Sequence, residues 1–369
     1  MQPISPVYWI ITPGICVLSI LACQVANPLQ ASIEPITATQ PHGLNRIVAQ
    51  SSNGVKALPQ GIAPQFESAS DFSNGLALVR KNSQYFYIDK QGAAAIVPNF
   101  EASAFSNFSE GLAIVQIGST FNLIDRRGKL QVDAPLDSIS QFSSGLAAIR
   151  INRKYGYLNK QGKITISPKF ELAGKFSEGL AAVKLDGKYG FINATGNFVI
   201  PPTYDDAWSF SEARASVRVG KTWGYINPSN QVEIQPKFDG AFQFSEALAR
   251  IRMDQRWGFV NRQGTIAISP QYSFASDFSQ GLAAVQIDRK WGYINAAGKV
   301  VIPARFDFAS DFSEGFALVQ MNGKWGYINT NGALVVAPRF DNAGRFSEGL
   351  ARVQVNEQWG YIHSKNIKL

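Results

Sequence analysis

A strict repeat of 34 residues constrains the fold of this chain more than any other feature of its sequence. The word Gly-Lys-Trp-Gly-Tyr-Ile-Asn at residues 323–329 returns nine times in altered form. Its first aromatic residue, the anchor, is followed by the next anchor after 36 residues once and after 34 residues seven times. Such a period predicts supersecondary units that pack each against its neighbours. The anchors are Tyr85, Phe121, Tyr155, Tyr189, Trp223, Trp257, Trp291, Trp325 and Trp359.

Each unit is predicted to be a three-stranded meander. Apolar and polar residues alternate over 316–321, which predicts a strand with one packed face. A turn at Asn322-Gly323 then leads into the anchor strand, because Asn and Gly accept the left-handed backbone of a tight hairpin. A second glycine turn leads to a strand such as 300–303. The segment 305–315 returns the chain to the next unit, and the sequence does not decide whether it holds a short fourth strand or a helical turn.

The number of units favours an open array over a closed one. Nine units exceed the four to eight blades usual in β-propellers, so we expect an all-β, open, curved, solenoid-like array of nine repeats. The alternative is a closed, propeller-like ring. The chain stops at Leu369, where the last outer strand would begin, and Gly61–Pro64 before the first unit could supply that strand.

Composition and charge narrow the classes of function. The 369 residues include 45% hydrophobic and 12% aromatic residues, enough for a long core. A net charge of +8 permits attraction to anionic surfaces, but the charges are scattered in both signs, so we do not expect nucleic-acid binding. The only histidines, His42 and His363, lie at opposite ends, and the repeats contain no cysteine. We therefore expect no cofactor, no metal site and no histidine-based catalysis.

The N-terminus has the character of an export segment. Residues 7–26 are nearly all apolar, and Ile20-Leu21-Ala22-Cys23 resembles the lipobox that precedes a lipidated bacterial cysteine. We predict an export segment over 1–26 with lipidation at Cys23, a flexible tether over 27–60 and a repeat domain over 61–369. An uncleaved membrane anchor is the alternative. The protein is then exported to the periplasm or cell surface and contacts the membrane only through its N-terminus.

The motifs KWGYIN, NxxG, VIP, PxFD and FSEGLA together resemble the WG repeat, also called the KWG repeat, of bacterial proteins. The resemblance covers residues 61–363. It implies a β-repeat fold, a place outside the cytoplasm and no shared catalytic activity. The first two units depart from the motif, with Phe86 and Asn122 in place of the glycine, and Pro135-Leu136-Asp137 replaces one Pro-x-Phe. Where the glycine is present, we expect a neighbouring aromatic ring to lie on it.

Two residue columns invite a catalytic or stacking interpretation. A glutamate recurs after Phe-Ser in six units, and we interpret it as a turn cap, because an active site needs an asymmetric cluster. The anchor aromatics could stack on sugars, but a place in the core is the preferred interpretation.

A polar column is the candidate binding surface. The fifth residue of the first predicted strand is never acidic and never apolar, which would suit an anionic or hydroxyl-rich polymer. Taken alone, these residues fit a solvated strand face even better. The column is Arg80, Gln116, Arg150, Lys184, Arg218, Arg252, Gln286, Gln320 and Gln354.

The sequence therefore favours a non-enzymatic binding or scaffold protein of the cell envelope. Its expected partner is a polysaccharide, the cell wall or another envelope protein, which a repeated contact would hold by avidity. One alternative is an enzyme with its site on a divergent repeat, for which Trp208 beside Asp205 and Asp206 is the candidate. Another is a purely structural spacer.

Overall fold

The computed structural model describes residues 61–131 and 136–367. The predicted export segment, the lipidation at Cys23 and the tether lie outside these residues. The described chain is all β except for a single 3-10 turn at Ser364–Asn366. Within the same part of the chain, no helix is long and apolar enough to cross a membrane.

The described strands form nine small antiparallel sheets, eight of four strands and one of three. We call these sheets blades 1 to 9 and number them by their anchors from Tyr85 to Trp359. The additional strand is a short pairing of two residues in most blades and comes first in the blade, so each blade has one strand more than the predicted three-stranded meander. The reason lies in the return segment: Phe308–Ala309 pairs with the strand that follows, Phe308 opposite Gln320.

In seven blades the four strands follow one another along the chain in a meander, and in blade 9 the fourth strand comes from the start of the domain. The first strands are Ser68–Ala69, Ala104–Phe105, Ser138–Ile139, Leu172–Ala173, Asp206–Ala207, Gly240–Ser245, Phe274–Ala275, Phe308–Ala309 and Asn342–Ala343. The second strands are Ala77–Lys81, Leu112–Ile117, Leu146–Ile151, Ala181–Leu185, Ala215–Val219, Leu248–Met253, Leu282–Ile287, Phe316–Met321 and Leu350–Val355.

The third strands carry the anchors, and the fourth strands form the opposite edge of each sheet. The third strands are Gln84–Ile88, Thr120–Asp125, Lys154–Asn159, Lys188–Ile192, Thr222–Ile226, Arg256–Asn261, Lys290–Asn295, Lys324–Asn329 and Gln358–His363. The described fourth strands are Ala94–Ile96, Ile164–Phe170, Phe198–Tyr204, Val232–Phe238, Ile266–Tyr272, Val300–Phe306 and Leu334–Phe340, with Gly61–Phe66 completing blade 9.

The nine blades close into a propeller ring, which confirms the alternative and overturns the open array. Strand Gly61–Phe66 pairs antiparallel with Gln358–His363, placing Ile62 opposite Tyr361. The start of the domain thus supplies the outer strand that the last repeat lacks. Closure removes the exposed sheet edge that an open array would leave.

A ring of serine hydrogen bonds joins every blade to the next. In each Phe-Ser turn, the serine hydroxyl donates to the carbonyl oxygen of the corresponding phenylalanine in the following blade, over 2.7–2.9 Å. The last bond, from Ser347 Oγ to the Phe72 carbonyl, returns from blade 9 to blade 1. The donors are Ser73, Ser109, Ser143, Ser177, Ser211, Ser245, Ser279, Ser313 and Ser347.

The second aromatic of the Trp-Gly-Tyr word, rather than the tryptophan, fills the seams between blades. The Tyr327 ring is fully buried and packs against Phe346 of the next blade at a centroid distance of 5.0 Å. Its hydroxyl donates to the Gly344 carbonyl over 2.6 Å. Such a ring buries a large apolar area and still satisfies its polar end. Equivalent hydroxyl bonds come from Tyr87, Tyr157, Tyr225, Tyr293 and Tyr361.

The glycine of the word is required by the backbone of the fourth strand, not by an aromatic ring as predicted. A β-carbon on Gly326 would lie 2.5 Å from the Val336 carbonyl oxygen and 2.7 Å from Pro338 N. The register explains this closeness: Trp325 pairs with Phe340 but Tyr327 pairs with Val336, so the fourth strand bulges towards the glycine. The proline has no N–H to offer and suits the bulge.

Candidate functional site

One face of the ring collects the hairpin between the second and third strands and the connection between blades. Asp307, in the connection, accepts a hydrogen bond from the backbone N–H of Asn322, in the hairpin, over 2.7 Å. We call this side the hairpin face. The predicted Asn-Gly hairpin is confirmed, because Asn322 and Gly323 have φ angles of 51° and 75°.

The polar column lies on the hairpin face, with one half-buried side chain in each blade. Each residue is paired on one side with the anchor aromatic and on the other with the first strand: Gln320 stands opposite Trp325 and Phe308. The column therefore follows the closed ring, with one member in each blade. Its role in ligand binding stays a prediction.

Charge is unevenly distributed along this column. Blades 3 to 6 carry four consecutive cations, which we call the cationic arc: Arg150, Lys184, Arg218 and Arg252. Blades 7 to 9 carry only glutamines, namely Gln286, Gln320 and Gln354. Arg80 of blade 1 stands apart from the arc, beside Gln116 of blade 2.

Two of the four cations of the arc lie over the anchor aromatic of their own blade. Arg218 is 5.9 Å from the centre of the Trp223 ring, and its guanidinium is 3.7 Å from Asp206. Lys184 is 5.7 Å from the Tyr189 ring. These contacts combine cation–π attraction with partial exposure of the charge. Arg150 lies 3.9 Å from Asp137, Arg80 lies 3.4 Å from Glu67, and Arg80 is also 5.6 Å from the Tyr85 ring.

An exposed row of four aromatic rings lies on blades 7 and 8, and we call it the aromatic track. Successive ring centroids are 6.4, 5.9 and 5.4 Å apart. The two phenylalanines are 55% and 40% exposed, and the two tryptophans are half-buried. All nine anchors are half-buried, so the core interpretation of the anchors is incomplete throughout the ring. In chain order the rings are Phe274, Trp291, Phe308 and Trp325.

Charges beside the track are neutralised in pairs. Lys324 Nζ lies 2.6 Å from Asp341, and Lys290 forms the equivalent pair with Asp307. The lysine partner, together with a backbone N–H from the adjacent hairpin, holds the pKa of each carboxyl below its usual range. Both aspartates are therefore ionised at neutral pH, and the track has nearly balanced charge around it.

The proposed catalytic group on the divergent repeat is engaged in structural contacts. Asp205 binds Lys188 and accepts from the backbone N–H of Gly220 over 2.6 Å, as Asp307 does from Asn322. Asp206 faces Arg218. Trp208 lies 6.2 Å from Phe242, ring centre to ring centre. The two carboxylates thus point to separate cations and do not share one pocket.

The recurring glutamates cap turns, as predicted, but the turns belong to the next blade. Glu314 Oε2 accepts from the backbone N–H of Gly349 over 2.9 Å, and Glu110 accepts similarly from Gly145. Lys160 also binds Glu110 and, with that N–H, lowers its pKa. These carboxylates lie on the side opposite the hairpin face and add to the seams.

A polar cavity of about 510 Å³ lies where five consecutive blades converge, which marks the ring axis. Asp71, Asp277, Asp311 and Arg345 line it, each directly before the phenylalanine of its Phe-Ser turn. Arg345 pairs with Asp311 at 3.4 Å. Burial raises the pKa of Asp277, while Arg250, 2.9 Å away, opposes that shift.

The cavity residues were not predicted from the sequence, although it contains a signal for them. The position before Phe-Ser changes chemistry from unit to unit while its neighbours repeat. Among the residues described, no group of acidic, histidine or cysteine side chains is arranged to hold a metal ion.

Comparison with known proteins identifies the repeat. A family model described as WG containing repeat matches nine consecutive segments: 61–85, 85–121, 123–155, 155–189, 189–223, 223–257, 257–291, 291–325 and 325–359. The chain belongs to the WG-repeat family. Every WG-repeat segment ends at an anchor aromatic, and all but the first and third also begin at one. No curated protein matches the chain.

Comparison with solved structures finds similar chains at low sequence identity. A eukaryotic initiation factor has a TM-score of 0.53 at 12% identity, over 83% of this chain and 92% of the other. BamB from Moraxella catarrhalis has a TM-score of 0.39 at 12% identity, over 62% and 80%. Hsv2p from Kluyveromyces lactis has a TM-score of 0.37 at 7% identity, over 62% and 92%.

Proposed function

We propose that this WG-repeat protein is a non-enzymatic binding scaffold of the cell envelope. In this proposal it is exported, held to the membrane by a lipid on Cys23, and presents its hairpin face to an anionic polysaccharide or another envelope protein. The cationic arc carries the proposal: four cations stand at one position of four consecutive blades. A repeated charge at regular spacing suits a polymer with a repeated anionic group.

We prefer a scaffold to an enzyme because the side chains of the divergent repeat, Asp205, Asp206 and Trp208, do not converge on one pocket. Asp205 accepts a hydrogen bond from a hairpin N–H, as its counterpart Asp307 does in blade 8. Asp206 forms an ion pair with Arg218. General acid–base chemistry needs groups that converge on one substrate. The spacer alternative does not account for cations gathered on neighbouring blades of one face.

A charge-reversal variant tests the proposal. The full chain is mixed with cell-wall preparations and with polygalacturonate, and the retained fraction is measured by pull-down. Reversal of the whole arc is expected to reduce retention at least about tenfold, since every contact changes from attraction to repulsion. Unchanged retention removes the proposal. The variant carries Arg150→Glu, Lys184→Glu, Arg218→Glu and Arg252→Glu.

A second variant with the same change in net charge controls for long-range electrostatics. It reverses four cations that follow or form the turns between third and fourth strands, away from the hairpin face. If both variants lose retention equally, net charge and not the cationic arc is responsible, and the assignment to the arc is wrong. The control carries Arg127→Glu, Lys129→Glu, Lys163→Glu and Lys299→Glu.

A further inference from the structure

We propose that the aromatic track binds an uncharged glycan chain, with the sugar rings stacked on the aromatic rings and their hydroxyls bonded to two free glutamine amides. The site consists of blades 7 and 8. The inference rests on the proposed role of the ring as a binding scaffold, but it uses other residues and another class of ligand than the cationic arc. Its residues are Phe274, Trp291, Phe308, Trp325, Gln286 and Gln320.

The exposed phenylalanines are not required by the fold. They occupy the first position of the first strand, where blades 1, 3 and 9 have Ser68, Ser138 and Asn342. A polar residue therefore completes this strand equally well. At 55% and 40% exposure, Phe274 and Phe308 keep apolar surface in water at a cost that folding does not explain.

The two glutamines of the track differ from the other two glutamines of their column. Elsewhere the amide nitrogen is occupied: Gln116 donates to the Gly118 carbonyl and Gln354 to the Glu357 carbonyl. Across the described residues, the side chains of Gln286 and Gln320 have no hydrogen-bond partner. An amide offers two donors and an acceptor, the complement of a sugar hydroxyl pair.

The same triplet occurs twice in the track. The register places Phe274 opposite Gln286 and Gln286 opposite Trp291. One blade further on, Gln320 stands in the same way between Phe308 and Trp325. The Trp291 and Phe308 rings then join the two triplets at 5.9 Å. A duplicated arrangement fits a chain with a repeating unit better than the irregular surface of a folded protein.

The charge around the track selects against a charged ligand. Lys290 and Lys324 are each paired with an aspartate, as Lys188 is paired with Asp205 in blades 4 and 5. The difference lies in the column, which changes from cations to amides at the track. In the cationic arc, by contrast, Lys184 and Arg218 lie over the aromatic rings. An uncharged ring with axial C–H groups can lie on an aromatic face only where no cation already does.

Titration of the full chain with two neutral hexasaccharides, cellohexaose and chitohexaose, tests the proposal. Binding is followed by tryptophan fluorescence and by calorimetry, with an oligogalacturonate of the same length as the anionic probe. We expect at least one neutral probe to bind and to change the fluorescence of the track. If neither neutral probe binds at concentrations up to about 10 mM, the proposal is overturned, because the binding free energy would then be weaker than about 3 kcal/mol.

Two serine substitutions remove the stacking surface with little risk to the fold. Phe274→Ser with Phe308→Ser introduces the residue found at the same place in blades 1 and 3. We expect the affinity for the neutral probe to fall at least about tenfold, because two stacked contacts are lost. The matched control is Leu172→Ser, which removes an exposed apolar side chain from the same position of the first strand in blade 4, outside the track. Equal loss in the control contradicts the proposal.

The amides have their own test. Gln286→Leu with Gln320→Leu keeps the size of the side chains and removes their hydrogen bonds, so the affinity is expected to fall about fivefold or more. Gln116→Leu with Gln354→Leu is the control and is expected to have no effect. A track variant that binds glycan normally but fails to bind a folded envelope protein assigns the track to a protein partner and overturns the proposal. Polygalacturonate binding that persists when neutral binding is absent shows that only this inference has failed.

Discussion

The cationic arc and the aromatic track occupy the same face of one ring, on nearly identical backbones. They differ mainly at two positions in each blade. Blade 4 has Leu172 and Lys184 where blade 8 has Phe308 and Gln320. Both pairs stand opposite each other across the first and second strands. The repeat therefore fixes the geometry, and these two columns set the chemistry of each sector.

The anchor aromatic changes its role with its neighbours. In blade 5 the Trp223 ring is approached by Arg218 and contributes to holding a cation. In blade 8 the Trp325 ring is approached by the exposed Phe308 and a neutral amide. The same repeated motif thus contributes to two kinds of surface, so the motif by itself does not define a binding site.

The largest effect we predict is one that the two sectors share. Gly326→Ala and Gly190→Ala place a β-carbon against the bulged fourth strand, 2.7 Å from Pro338 N and Pro202 N respectively. Each is expected to cost about 3 kcal/mol of stability, because backbone cannot move aside cheaply. Urea unfolding midpoints measure the loss. A loss confined to one sector contradicts the view that both stand on the same scaffold.

A smaller change should convert the track into an extension of the arc. Gln286→Arg with Gln320→Arg places cations beside Trp291 and Trp325, as Arg218 lies beside Trp223. We expect neutral-glycan affinity to fall about tenfold, which is about 1.4 kcal/mol, and retention on polygalacturonate to rise. Parallel titrations with both probes measure the exchange. Retained glycan binding with cations in place argues against stacking on these rings.

Changes in ionic strength and pH should produce the smallest difference in ligand affinity between the two sectors. Raising ionic strength from about 0.05 to 0.5 M weakens binding to the cationic arc through screening and changes glycan affinity less than about twofold. Glycan affinity should also be constant from pH 8 to 5, since the lowered pKa values keep Asp307 and Asp341 ionised. Equal salt sensitivity of both probes breaks the distinction.

The ion pairs Lys290–Asp307 and Lys324–Asp341 also determine whether acid raises or lowers the stability of the fold. The folded pKa values of Asp307 and Asp341 lie below the usual 3.8. Their stabilisation is complete above the unfolded pKa and is lost as pH falls through the lower folded pKa. Acid unfolding below about pH 4 measures this loss.

Much of the scaffold could be predicted from sequence, because period, alternation and turn residues are local signals. The hairpin at Asn322 and the strands flanking it are examples. Ring closure could be predicted only as an alternative, because the pairing of Ile62 with Tyr361 joins the two ends of the domain and no local pattern specifies it. The prediction that an aromatic ring packs on Gly326 was wrong, because the bulge that brings the fourth strand against it depends on the register of two strands.

The candidate site was less predictable than the fold. The polar column was visible as a pattern, but the sequence does not reveal that Gln286 and Gln320 are free while Gln116 is occupied. Exposure of Phe308 depends on a strand of two residues that has no periodicity of its own. Such features arise from packing between units and not from the repeat itself.

Simultaneous binding of both ligands tests whether one face of the ring holds two separate binding sectors. Polygalacturonate affinity is measured on the full chain with and without a saturating concentration of the neutral hexasaccharide that binds the track. We predict that the affinity changes less than about twofold, because the two ligands occupy different blades. Displacement of one ligand by the other shows a single shared site and contradicts the account.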